Sequence, residues 1–439
     1  MKQTRCSFTH DALISVTKKQ CIRGLNRLNT PEIKRSLFTN IHCIMSGLAL
    51  FTFKMPSLLQ FDRQTRPEQP LALSLKNLFQ IEEIPSDTYL RERLDVISPS
   101  IFRQCFTGIF ALLQRSKILD HFKFLKDYYL ISLDGTGVFS SKSIHCEHCC
   151  TKNHRDGTVT YHHQILAAAL VHPEQKVVYP LAPEPILNTD GAEKNDCERN
   201  ALKRWVKDFR REHPHLKTII IADGLSSNEP FISILKEHKL SYILVCKEGD
   251  HKYLIDWLNA ADREDKPTQT KEIKNGTQTY SYMLDVPLNA SKDACRVNVV
   301  CLNETIKGKT TKWIWVTDLA VTLENVEEIA KGGRSRWKIE NETFNTLKNQ
   351  GYQFEHNFGH GRENLHTVFA HLMMLAFFVD QVLAAVNKRF QAVLDKYKAK
   401  YVVWEKMRAM LEMCILPDFE TLYQSLVTRP PPMQLPSVL

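Results

Sequence analysis

The chain has 439 residues, 43% hydrophobic and 24% charged, a balance that excludes a disordered or fibrous protein and leaves room for a sizeable core in two or three domains. Lys and Arg (58) outnumber Asp and Glu (49) for a net charge of +9, which suits a polyanionic partner without demanding one. The N-terminus carries no apolar segment ahead of a small-residue cleavage site, and the longest apolar runs are short or interrupted. A cytoplasmic protein with no membrane span is therefore expected. The 12 cysteines form no small-domain framework and read mostly as buried thiols.

Residues 1–30 are polar and basic with little period, as in a loosely ordered arm. Apolar residues at helical spacing over 37–54 predict a helix that Pro56 stops. Further helices are predicted after Ser86 or Asp87, either of which can cap, and over 101–119. Residues 1–125 thus read as a helical region. It is either a packing domain or a DNA-binding one, the latter suggested by Arg23, Arg27, Lys34, Arg35 and Lys54, although no helix-turn-helix spacing is evident.

At Tyr128 the pattern turns to β. YYLISLDGTGVFSS is an apolar strand interrupted by Asp134, with Gly135 and Gly137 following where the backbone turns or a ligand approaches. Next comes IHCEHCCTKNH. Its C-x-x-C spacing at Cys146 and Cys149 is a zinc signal, but no second pair nearby completes a ligand set. Buried thiols and no essential zinc are therefore expected for Cys146, Cys149 and Cys150. Strands over 158–170 and 176–180 follow, then a basic-faced helix over 194–215.

Residues 218–222 form a continuous apolar run, the pattern of a strand buried on both faces, ending on Asp223 and Gly224. A carboxylate there lies where ligands of open α/β sheets bind. A helix over 230–238, a strand over 241–246 and a turn-rich β insertion over 247–331 come next.

GGRSRWKIENETFNTLK, 332–348, predicts a helix opening after the Gly pair. At 100° per residue Arg336, Glu340 and Leu347 share one face, Trp337 and Phe344 adjoin it as core, and Glu342 points to solvent. A carboxylate against an apolar stripe needs a partner, which is either Arg336 or a metal ion. A His- and Gly-rich loop, an apolar core helix over 365–390 and an extended Pro-rich tail end the chain.

Three acids therefore stand in order on two strands and a helix, and hard divalent ions prefer such oxygen ligands. With LDGT at Asp134, IIADG at Asp223 and RWKIENETFNTLK at Glu340, the sequence resembles DDE-class transposases of the insertion-sequence group with a ribonuclease-H-like catalytic core, over most of 86–361. The β insertion before the Glu helix also matches. In that group the helix often carries Tyr, Arg, Glu and Lys at fixed spacing. Arg336 fits, whereas Gly333 stands at the Tyr position and Leu347 at the Lys position, with Lys348 one further on.

The resemblance implies an α/β fold, a ribonuclease-H-like mixed sheet flanked by helices with an inserted β subdomain. Its parts would be a helical DNA-binding region (1–125), the first part of the core (126–246), the insertion (247–331), the Glu helix and closing helices (332–400), and a C-terminal helix and tail (401–439). It implies Asp134, Asp223 and Glu340 as ligands of two Mg²⁺ or Mn²⁺ ions, transposon-end and target DNA as partners, and a homodimer on DNA. The implied activity is end cleavage and strand transfer. A nuclease or resolvase without strand transfer, or an inactive DNA-binding remnant, is the alternative. Arg334, Arg336, Lys338, Lys348, His356, His360 and Arg362 would line the phosphate path, and Trp337 or Tyr352 would stack on a base if not in the core.

Overall fold

A computed structural model describes residues 8–32, 38–191, 194–261 and 266–428. In chain order the helices are α1 (His10–Arg27), α2 (Asn40–Thr52), α3 (Leu58–Gln64), α4 (Pro70–Phe79), α5 (Asp87–Asp95) and α6 (Arg103–Arg115). Strands β1 (Lys123–Phe124), β2 (Tyr128–Ser141), β3 (Cys150–Asn153), β4 (Val159–Val171), β5 (Tyr179–Pro180) and β6 (Glu184–Ile186) follow, then α7 (Lys194–Glu212), β7 (Thr218–Ala222), α8 (Glu229–Glu237), β8 (Ser241–Val245) and α9 (Lys252–Ala260). The insertion supplies β9 (Thr268–Ile273), β10 (Gly276–Pro287), β11 (Arg296–Ile306) and β12 (Lys309–Thr317). Helices α10 (Val326–Arg334), α11 (Asn345–Asn349), α12 (Leu365–Val386), α13 (Lys388–Tyr397), α14 (Lys400–Met413) and α15 (Phe419–Val427) complete the described chain.

The strands form one mixed sheet in the order β3-β4-β2-β7-β8-β12-β11-β10-β9. Its first half is ribonuclease-H-like: β3, β4 and β2 run antiparallel to their neighbours, and β7 and β8 continue parallel to β2. Leu130, Ile131, Ile219, Ile220 and Ile221 are fully buried, as expected of central strands covered on both faces. The insertion is not a separate body. Trp315–Thr317 of β12 pair with Ile243–Val245 of β8, so the core sheet simply continues into it, and Trp315 and Val316 join the common core.

The N-terminal segment corrects the expectation of a loose arm. Thr9 caps α1 by accepting from the Ala12 N–H, and His10, Leu13, Ile14, Thr17, Cys21, Gly24 and Leu25 face inward at helical spacing. Four of those seven residues are His, Thr, Cys and Gly, so the period is faint to a hydrophobicity count. Arg23 and Arg27 are exposed on this helix. Lys34 and Arg35 lie outside the described residues, as does the Pro-rich tail. Lys54, read as a DNA contact, is instead fully buried, with its ammonium on Asp380 of α12. Helix α12 passes the length and apolarity test for a membrane span, yet 89% of that window is buried between the sheet and the surrounding helices.

Two histidines are locked in this core. His371 donates from Nδ1 to the Thr367 carbonyl (2.8 Å), and His213 meets the Phe110 ring edge-on. Burial, and secondarily the positive charge of Arg103, pushes each down to about 4. Between the ordinary imidazole range near 6.5 and that value, the unfolded chain binds protons that the folded chain does not. Stability is therefore expected to fall as pH drops from 6.5 to 4, by about 1 kcal/mol per pH unit for each ring, and to level off below. Urea midpoints measured across that range, with His371→Gln flattening the slope, check this.

Candidate active site

Strand β2 pairs with β7 in parallel up to Ser132 opposite Ile221. Asp134 stands two residues further along β2 and Asp223 just beyond the end of β7, which continues the register toward the face of Ser132 and Ile221 and brings the Asp223 charge to bear on Asp134. The Ser132 hydroxyl donates to the Arg336 carbonyl (3.1 Å), which fixes the Glu-bearing segment over that same face.

The segment differs from the regular helix expected. Helix α10 begins six residues before the Gly pair and contains it, because the pair is where the helix touches the sheet. A Cβ on Gly332 would lie 2.7 Å from the Phe124 ring, and one on Gly333 would lie 2.5 Å from the Trp315 indole nitrogen. Trp315 thus fills the space that a tyrosine at 333 would need.

After α10 the chain forms a π-helical turn, Ile339–Phe344. With i→i+5 bonding each residue advances less than 100° around the axis, so faces counted on a regular helix drift. Glu340 stays near the aspartates, but its side chain is 48% exposed rather than packed inward. Glu342, placed in solvent by the regular count, is half-buried with the ammonium groups of Lys338 and Lys400 for neighbours. Trp337, expected in the core, is 42% exposed beside the site.

Arg336 lies between two of the acids: its Nη1 is 2.6 Å from Glu340 Oε1 and 3.7 Å from Asp134 Oδ2. Lys247 approaches Asp223 at 3.9 Å. Asp134 is the most enclosed acid. Burial pushes its carboxyl up to about 7; the Arg336 guanidinium pulls it down, and Glu340 and Asp223 push it up again. Like charges crowd here without enough positive charge to balance them, and such sites are functional candidates.

A further carboxylate escaped the sequence reading. Glu198 of α7 reaches so close that a Cβ on Gly135, next to Asp134, would meet its Oε1 at 3.0 Å. The pattern of 194–215 shows an apolar stripe and a basic face and draws no attention to its acids. An acid at the start of the helix connecting the antiparallel strands to β7 was the available signal.

The basic residues expected along a phosphate path do not form one continuous line. Arg336 is engaged with the acids. Arg334 stacks on Trp313 (4.6 Å) and pairs with Glu304 (3.2 Å), and Lys348 pairs with Glu355 (2.9 Å). His356 and Arg362 are exposed. Lys338 is buried, its ammonium donating to the Gln175 carbonyl, which holds it away from any ligand. His360 is also buried, its ring turned toward Cys149 and His163. Tyr352 is no stacking platform, since it is buried with its hydroxyl on Asp380.

No protein-family model and no curated protein sequence matches the chain. Among solved structures it is similar to a piggyBac transposase in a synaptic complex with hairpin DNA, at a TM-score of 0.43 and 9% identity, over 100% of this chain and 88% of that one.

Proposed function

We propose that the protein is a DNA transposase of the DDE class and insertion-sequence type, cleaving at the ends of a mobile element and joining them to target DNA, in the cytoplasm and as a homodimer on DNA. The observation that carries this reading is the parallel pairing of the two strands that lead to Asp134 and Asp223, beneath the segment bearing Glu340.

The donor types suit a hard divalent ion: the three acids offer only carboxylate oxygens, and Asp134 is a half-buried acid whose charged form lacks full compensation. Asp134, Asp223 and Glu340 would hold Mg²⁺ or Mn²⁺, two ions in the arrangement the sequence resemblance implies. When bound, such ions supply Lewis-acid activation of the attacking oxygen and charge stabilisation at the leaving one. The chain's own residues set the geometry. The Ser132–Arg336 bond holds the Glu segment on the sheet, and the single Arg336 guanidinium offsets part of the charge of Glu340 and Asp134.

Incubating the purified protein with labelled element-end DNA, target DNA and Mg²⁺ tests the reading. Cleaved ends joined to target support it. Cleaved ends alone indicate a nuclease or resolvase, and no cleavage in either Mg²⁺ or Mn²⁺ a DNA-binding remnant.

Exposed Trp337, one residue from Arg336, is placed to stack on an unpaired base near the cleaved bond. Trp337→Ala is expected to weaken binding of end DNA by roughly 1–3 kcal/mol, as for other base-stacking aromatics. Because the ring is not core, the thermal midpoint should stay within about 2 °C, the range of surface substitutions. Fluorescence-anisotropy titration alongside thermal unfolding separates the two effects.

A further inference from the structure

Cys146 and Cys149 lie in the turn between β2 and β3, where no neighbouring pair completes a ligand set along the chain. The fold completes it from elsewhere. His163 comes from β4, opposite Phe139 of β2, and His360 comes from the loop that follows the Glu segment, 197 residues further on. The four ligand atoms, two Sγ and two Nε2, all lie within 4.8 Å of one another, the one such group among the described residues.

We propose that these four residues form a structural zinc site, in place of the plain buried thiols that the sequence alone suggests. Tetrahedral zinc with Zn–S of about 2.3 Å and Zn–N of about 2.0–2.1 Å requires ligand separations of about 3.8 Å (S to S), 3.6 Å (S to N) and 3.3 Å (N to N). The thiols of Cys146 and Cys149 are 3.8 Å apart. Sulfur-to-nitrogen distances are 3.6 Å (Cys146–His163), 3.2 Å (Cys149–His163) and 3.3 Å (Cys149–His360), and the two Nε2 atoms are 3.2 Å apart. Two sulfurs and two imidazoles at these edges enclose a point that fits one ion of zinc's size and leave no fifth position, the mark of a structural rather than a catalytic centre.

The surroundings support the assignment. His360 donates from Nδ1 to the Gly361 carbonyl (2.8 Å), so its Nε2 presents a lone pair inward; a backbone partner of this kind is the usual support of a metal-bound imidazole. The Cys146 backbone N–H points at Cys149 Sγ (3.4 Å), a contact that stabilises thiolate charge. Phe139 covers the His360 ring at 4.5 Å. Cys149, His163 and His360 are buried. Gly361, at φ +72°, turns the chain where the Asp95 carboxylate and Leu365 leave no room for a side chain. The Asp95 carboxylate in turn accepts from four successive amides, Arg362 to Leu365, at 2.8–3.0 Å and so fixes the loop.

The centre would tie the outer end of the strand carrying Asp134 to the segment following Glu340, bracing two of the three acids against each other. Cys150 is excluded, since its thiol turns to the Ile186 carbonyl at 4.0 Å.

Elemental analysis of the full chain, purified without chelator, is expected to find about one zinc per chain, and X-ray absorption at the zinc edge a shell of two sulfurs and two nitrogens. Cys146→Ser and His360→Ala should each lose the metal, while Cys150→Ser retains it. The wild-type absorption spectrum stands even if the ligand variants do not fold, and neither measurement depends on DNA cleavage, so failure here leaves the proposed activity to its own test. A wild-type chain without zinc, a zinc shell without sulfur, or a Cys146–Cys149 disulfide in the purified protein would overturn the assignment.

Discussion

Glu340→Gln is expected to abolish both end cleavage and strand transfer, by roughly a thousandfold or about 4 kcal/mol of transition-state stabilisation, while the protein still folds and binds end DNA. The amide keeps the size of the side chain and can still accept from Arg336, so the segment should stay on the sheet. What disappears is one of three charges facing the acidic centre. The partial exposure of Glu340 makes the forecast sharper: a half-exposed side chain contributes little to stability, so an effect on unfolding cannot stand in for one on chemistry.

Glu342→Gln is the matched control, and the structure alters what to expect of it. Its half-buried carboxylate has the Lys338 and Lys400 ammonium groups for neighbours, so its loss should cost about 0.5–1 kcal/mol of stability, but it is not one of the three acids of the proposed site and activity should remain near wild type. Both variants are assayed with Mg²⁺ and with Mn²⁺. An active Glu340→Gln beside an inactive Glu342→Gln would assign the chemistry to the wrong turn of the segment and sink the site as described.

The contrast between these glutamates shows where sequence reasoning reaches its limit. Asp134 and Asp223 were legible because each breaks or ends an apolar strand run, and burial of such runs is dictated by composition alone. Their shared register was legible too, as a requirement of any site using both. Glu340 was reached through helical spacing, which survives four residues from Arg336 but not the π turn beginning at Ile339, so the environment of Glu342 was misread, while Trp337 was misread because α10 already ends at Arg334 ahead of it.

Contacts between distant segments left no local signal. Nothing in the sequence near Cys146 announces His360, and nothing near Gly333 announces Trp315. The insertion was recognised as β but not as an extension of the core sheet, since the β8–β12 pairing joins the core to the last strand of the insertion, distant in sequence. Lys54 was counted as surface charge because a lone lysine at a helix end usually is one.

That lysine supplies the largest expected effect on stability. Lys54 Nζ lies 2.5 Å from Asp380 Oδ2, donates to the Thr52 carbonyl (2.8 Å) and sits over the rings of Trp404 (3.8 Å) and Tyr352 (4.6 Å). The Tyr352 hydroxyl donates to the same Asp380 oxygen. Both charges are out of water, so each is tolerated only through the other. Asp380→Asn keeps the shape but leaves an ammonium facing neutral groups and should cost roughly 3–5 kcal/mol. Lys54→Met leaves the carboxylate with the Tyr352 hydroxyl and the charge of Lys400 and should cost a comparable amount. The double variant removes both charges and retains the volume, so it should recover much of the loss, giving a coupling of roughly 2–3 kcal/mol in the cycle. Because the pair joins the end of α2 to the middle of α12, the loss should appear as loosening of the helical layer, read by amide hydrogen exchange in α2 and α12 together with the urea midpoint. Additive single effects below about 1 kcal/mol would mean that the pair is hydrated and that the helical layer is held by its apolar contacts alone.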